Sequence, residues 1–206
     1  LTNGAQVLVL DAVDAASTGP IIAQANAKDV PVFAYDREIP GEGVAYYNSY
    51  DNAKVGELQA NSLIKKLGAK ADGGTIVMIN GAPTDNNAKL FKQGAHSVFD
   101  KSKLKIGAEY DTPTWKPSEA QAEMDQAITK LGKDGFVGSY NANDGTAGGA
   151  IAAMKAAGIN PSTIPSTGQD AELAAIQRIL AGEQYMTVYK AIKPQAEDAA
   201  PIAVQL

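Results

Sequence analysis

Residues 75–86 read Thr75-Ile76-Val77-Met78-Ile79-Asn80-Gly81-Ala82-Pro83-Thr84-Asp85-Asn86. Thr75–Ile79 is β-branched or apolar throughout, with no polar residue on alternate positions. Such a run fits a strand covered on both faces, as in a parallel sheet, better than a strand with one wet side. A polar segment punctuated by Gly81 and Pro83 ends it. Asn86 to Phe99 follows with helical spacing, and Lys105–Glu109 reads as a strand again.

The same alternation extends both ways. Upstream, Val7–Leu10 reads as a strand, Gly19 to Lys28 as a helix with Pro20 in its first turn, and Val32–Tyr35 as a strand. Val44–Tyr47 is another extended piece. Asp51 to Leu67 is a helix capped by Asp51 or Asn52. Downstream, Ser118 to Leu131 is a helix preceded by Pro117, and Phe136–Tyr140 is a strand. Thr146 to Ala157 is a helix stopped by Gly158. Thr163–Gly168 reads as a short strand. Ala171 to Ala181 is a helix with Leu173, Ile176 and Leu180 on one side. Met186–Tyr189 is the last clear strand, before a helical tail. Strands alternating with helices of this length predict an α/β fold of parallel sheets flanked by helices.

Composition excludes several functions. The chain has 206 residues, 45% hydrophobic and 20% charged, with net charge −5. It holds no run of Lys or Arg suited to nucleic acid, Lys65-Lys66 being the longest cluster. Cysteine is absent, which removes zinc–thiolate sites, disulfides and thiol nucleophiles. His96 is the single histidine, so a catalytic triad or a multi-histidine metal site would lean on it alone. It reads as a partly exposed helix residue. Nothing calls for a metal or another cofactor. No stretch approaches the ~20 apolar residues that span a bilayer. A buried-looking strand at Val7–Leu10, so near the start, raises the expectation of a fragment lacking an N-terminal portion.

In open parallel sheets, ligands bind outside the carboxyl ends of the strands. Those positions carry Asp36-Arg37, the 80–89 segment with Asn87, the loop ending in Trp115, Asn143-Asp144, Gln169-Asp170 and Lys190. Sugar hydroxyls both donate and accept, so a lining of carboxylates, amides and cations with one indole for the ring's C–H face suits a small carbohydrate. Each residue also has a plain reading. Asp36-Arg37 fits a surface ion pair of little worth, Asn143, Asp144 and Asp170 fit helix caps, and Trp115 fits the core. Residues 143–149 resemble a phosphate loop but lack its Gly-Lys-Ser/Thr ending; their small residues suit close packing of the helix on the sheet. Asp144 and Asp170 also stand as a minor alternative, a glycosidase pair.

Several segments carry a family resemblance: Ala34–Arg37, Asp51–Ala60, Asp85–Phe91, Asn143–Ala150, Gly168–Leu173 and Met186–Lys190. Together they resemble the periplasmic sugar receptors of bacterial ABC transporters, and the Asp85–Phe91 and Thr187–Lys190 pieces resemble the xylose branch. The resemblance implies two Rossmann-like lobes, with 1–49 and 188–206 forming a partial N-terminal lobe and 50–187 the C-terminal lobe. It implies a monomer that binds a monosaccharide between the lobes without chemistry and hands it to a membrane permease. Asp36 and Arg37 would bind from the first lobe. Asn87, Asn143, Asp170 and Lys190 would bind from the second lobe or hinge, and Trp115 would stack on the ring. Asp144 and Gln169 would be neighbours of the ligand. The location implied is periplasmic or extracellular, with a lipid anchor as one option. The fold alone leaves open a LacI-type regulator's effector lobe, or a receptor serving a membrane sensor kinase.

Overall fold

A computed structural model describes residues 1–206. The chain divides into two compact units: residues 1–51, 84–87 and 191–206, and residues 52–83 and 88–190.

The first unit holds a three-stranded parallel sheet of order β1-β2-β3, formed by Leu8–Leu10, Val32–Tyr35 and Tyr46–Asn48. Helix α1 (Gly19–Asn26) packs Ile22 and Ala25 against Val32 and Ala34 of β2. Helix α7 (Ile192–Gln205) sends Gln195 to the backbone carbonyl of Asn48, 3.4 Å away.

The second unit is a three-layer α/β sandwich. Its sheet has the order β5-β4-β6, all parallel: β4 is Thr75–Asn80, β5 Lys105–Asp111 and β6 Gly138–Asn141. Central β4 explains the unbroken apolar run, because alternate side chains enter different cores. Ile76 and Met78 join Leu63, Ala95 and Phe99 from α2 (Asn52–Leu67) and α3 (Asn86–Phe99). Val77 and Ile79 join Met124, Ala127, Ile151 and Met154 from α4 (Pro117–Leu131) and α5 (Asp144–Ala156). All four β4 side chains are fully buried. These four core residues, each worth about 1.5–3 kcal/mol of burial, anchor the strand whose end carries the polar segment.

Expectations for two strands and for the small residues of α5 are corrected. Thr163–Gly168 and Met186–Tyr189 are not strands; they extend the sheet only through single bridges, Ser139 to Ser166 and Gln169 to Val188. Pro165 has no N–H to give a ladder, and Asp170, at φ 103°, turns the backbone out of it. Helix α6 (Leu173–Leu180) buries Ala175 and turns Leu173 and Leu180 outward, 75% and 83% exposed. The small residues of α5 serve α4 rather than the sheet: a Cβ on Gly149 would strike the backbone carbonyl of Pro117.

His96 joins α3 to β5. Its Nδ1 lies 3.1 Å from Asp100 and its Nε2 3.1 Å from Glu109. Burial alone would lower its pKa, but the bonds to Glu109 and Asp100 outweigh it and raise the pKa above 6.5. The native state therefore holds this proton more tightly than the unfolded chain. The stabilisation is complete below about pH 6.5 and is lost as pH rises through the folded-state pKa. Thermal melts should show His96→Gln less stable than wild type at pH 5.5, with the gap closing at pH 9. A gap that persists unchanged at pH 9 contradicts this assignment.

Candidate functional site

In the first unit, Asp36, Arg37 and Asn87 come together. Asp36 ends β2 in the left-handed region, φ 61°, held by its N–H to the Asn48 carbonyl at 2.8 Å. Its backbone carbonyl accepts from Asn87 Nδ2 at 3.0 Å, and its Oδ1 accepts from Gln195 Nε2 at 3.3 Å. Arg37 does not pair with Asp36. Its Nε lies 3.2 Å from the buried carboxylate of Asp85 and 3.5 Å from exposed Asp11. Asp85 also accepts the backbone N–H of Asn87 at 2.9 Å. Sequence reasoning did not single out Asp85, yet it orients two candidate ligand groups. Asn87 is 2% exposed, and its Oδ1 has no hydrogen-bond partner. A buried acceptor left unmet costs about 1–3 kcal/mol, so this oxygen is suited to a ligand hydroxyl.

In the second unit, the indole of Trp115 lies over the backbone of Gly81 and meets Phe91 edge to face, centroids 6.4 Å apart. The core reading of this tryptophan is half right: the ring is partly buried and packs on the Leu63–Phe99 cluster. Trp115 itself holds φ 64°. Lys190, 8% exposed, places Nζ 6.0 Å from the Phe91 centroid.

Asn143 proves to be both a cap and an available donor. Its Oδ1 accepts the Thr146 N–H at 2.8 Å in a capping box, while its Nδ2 donates to nothing in the chain. Asp170 is no cap: α6 has Glu172 in that position, without a side-chain bond. Asp170 instead holds φ 103°, its N–H bonded to the Val188 carbonyl at 2.9 Å. Asp144 is fully buried and ties this loop together, accepting from Gln184 Nε2 at 2.8 Å, Thr187 Oγ1 at 2.9 Å and Glu172 N–H at 3.0 Å. Burial raises its pKa, against the lowering effect of those bonds and of Arg178. With every oxygen so occupied, Asp144 is a scaffold rather than half of a glycosidase pair. Its backbone N–H to the Gln169 carbonyl, 2.9 Å, joins the Asn143 and Asp170 loops.

Removal of the Asp85 charge by Asp85→Asn should weaken ligand binding about tenfold or more, the scale of one charge-assisted bond. Calorimetry would read this, and an unchanged affinity would show that Arg37 needs no such anchor.

In each unit, polar side chains stand at or just beyond the carboxyl ends of parallel strands, where α/β folds bind their ligands. The whole chain, residues 1–206, matches the periplasmic binding protein domain family, and it belongs to that family. It is 42% identical to the D-xylose-binding periplasmic protein of Haemophilus influenzae over 192 residues, covering 90% of this chain and 55% of that protein. It is 39% identical to the D-xylose-binding periplasmic protein of Escherichia coli over 212 residues, covering all of this chain and 62% of that one. The chain thus spans under two thirds of the length of these relatives. Among solved structures, an ABC transporter solute-binding protein from Clostridium phytofermentans with bound β-D-glucose superposes with a TM-score of 0.87. It is 30% identical, with 96% of this chain and 65% of that one covered.

Proposed function

We propose that this chain is the greater part of a periplasmic receptor that binds a monosaccharide, D-xylose first, for a bacterial ABC transporter. It performs no chemistry on the sugar and works as a monomer that presents its loaded form to a membrane permease. Asp36, Arg37 and Asn87 supply one set of polar groups. Asn143, Asp170 and Lys190 supply the other, and Trp115 supplies the apolar wall.

One observation carries the reading. Three residues, Asp36 just after β2, Trp115 in the loop after β5 and Asp170 beside the Gln169–Val188 bridge, hold positive φ without being glycine. Each such residue costs on the order of 1–3 kcal/mol and persists where the surrounding structure over-determines it, as at ligand clamps. The three are also the carboxylates and the indole that a sugar needs. Only a form in which sugar meets both sets of groups gains every contact, so ligand shifts the population toward it. Xylose is favoured by the two named relatives, while the glucose-bound solved structure makes glucose the main competitor.

Calorimetry of the full-length protein against xylose, ribose, arabinose, glucose and galactose tests this. Xylose should bind most tightly. Absence of heat with all five sugars would sink the reading.

A further inference from the structure

The loop carrying Trp115 is tied down by two carboxylates of α4. Glu119 accepts from the Thr114 N–H at 2.8 Å through one oxygen and from the Thr114 hydroxyl at 2.7 Å through the other. One turn later Glu123, 8% exposed, brings Oε2 to 2.9 Å from Thr112 Oγ1. That same hydroxyl lies 2.7 Å from the backbone carbonyl of Asn80. Asn80 immediately precedes Gly81, on which the indole rests.

Counting protons decides what Glu123 does. A threonine hydroxyl has one proton, and neither a carbonyl nor an ionised carboxylate has any. With Glu123 ionised, one proton serves two short contacts, and one of them becomes a lone-pair approach between buried oxygens. With Glu123 neutral, both close: its carboxyl O–H donates to Thr112 Oγ1, and the Thr112 O–H donates to the Asn80 carbonyl. The surroundings agree. Burial raises the pKa of Glu123, its bond to Thr112 acts the other way, and the charges of Glu119 and Asp111 raise it further. Of the packed elements, β4 carries no charged residue. At the loop end of β5, Lys92 is held by Glu109 and Asp111. On α5, Asp144 is bonded to Gln184 and Thr187, and Lys155 is paired with Glu183.

We propose that Glu123 serves as a hydrogen-bond donor to Thr112 and, with Glu119, is a positioning residue that presets the Trp115 indole for the sugar ring. This rests on the reading of Trp115 as the sugar-facing wall. A preset wall spares the ordering cost that a mobile loop would meet on binding.

The test uses the full-length protein and the indole 15N–1H resonance of Trp115, assigned by its loss in Trp115→Phe. Glu123→Gln keeps a donor at the same reach, so the resonance and the xylose affinity should stay within about twofold of wild type. Glu123→Ala and Glu119→Ala should both move the resonance and weaken xylose about tenfold. Thr112→Val, which keeps shape and loses the hydroxyl, should move the resonance as Glu123→Ala does. Raising pH should move the wild-type resonance and leave that of Glu123→Gln in place. The proposal is overturned if Glu123→Gln moves the indole as far as Glu123→Ala, since an acceptor is then required, or if no variant moves it. A moved indole with unchanged xylose affinity upholds the positioning and instead overturns the role of Trp115.

Discussion

Asp170→Ala is expected to remove measurable xylose binding by the full-length protein. The carboxylate stands on a loop that has little freedom left: Asp170 N–H bonds to Val188, Ala171 N–H to Thr187 Oγ1 at 3.1 Å, and Glu172 N–H to buried Asp144. A carboxylate presented this way accepts sugar hydroxyls without an ordering penalty. Its loss leaves those hydroxyls unpaired, at about 1–3 kcal/mol per group, or roughly ten- to a hundredfold in affinity for each. Alanine is also ill suited to φ 103°, so the variant should melt somewhat below wild type. Asp170→Asn separates the two effects. Asparagine tolerates positive φ, so it should melt like wild type yet still bind xylose well over tenfold more weakly, because a neutral amide loses the charge-assisted part of each bond. Calorimetry and a thermal melt on each variant give both readings. Wild-type affinity in Asp170→Ala would refute the site assignment.

What the sequence revealed followed from burial. Helix α3 begins at Asn86 and ends at Phe99 as its spacing predicts, and β4 extends one residue past Ile79. The strand-end rule marked a longer set of polar residues from the parallel-sheet pattern, and the family resemblance reduced it to seven. What it missed has a physical cause. Asp85 lies 48 positions from Arg37 in the chain, so no local spacing marks their pairing. Glu119 and Glu123 look like ordinary solvated residues of a helix, and only the packed loop shows what they hold. The positive φ of Trp115 and Asp170 leaves no compositional trace, since neither is glycine. The α6 stripe left its buried side open for a related reason. Periodicity shows that Leu173, Ile176 and Leu180 share a side, but it does not show which side is buried, and Ala175 is the buried residue.

Gly81→Ala should weaken xylose binding at least tenfold, about 1.4 kcal/mol, with only a small change in melting temperature. Gly81 does not hold positive φ, so its backbone accepts alanine. What suffers is the indole, because the new Cβ falls inside the van der Waals radii of Trp115 Cη2 and Cζ2. The ring has one way to yield, away from Gly81. It cannot press deeper, because Phe91 blocks one edge and the Thr114–Glu119 and Thr112–Glu123 contacts fix its loop. On the proposed role of Trp115, a displaced indole would no longer offer its face to a sugar's C–H groups, and aromatic contacts are lost steeply with distance. Emission from this tryptophan should shift to longer wavelength as the ring gains water. The effect is then on binding rather than stability, which distinguishes Gly81 from the core glycines that separate helices. Gly81→Ala protein with a displaced indole and undiminished xylose affinity would mean that the ring wall lies elsewhere.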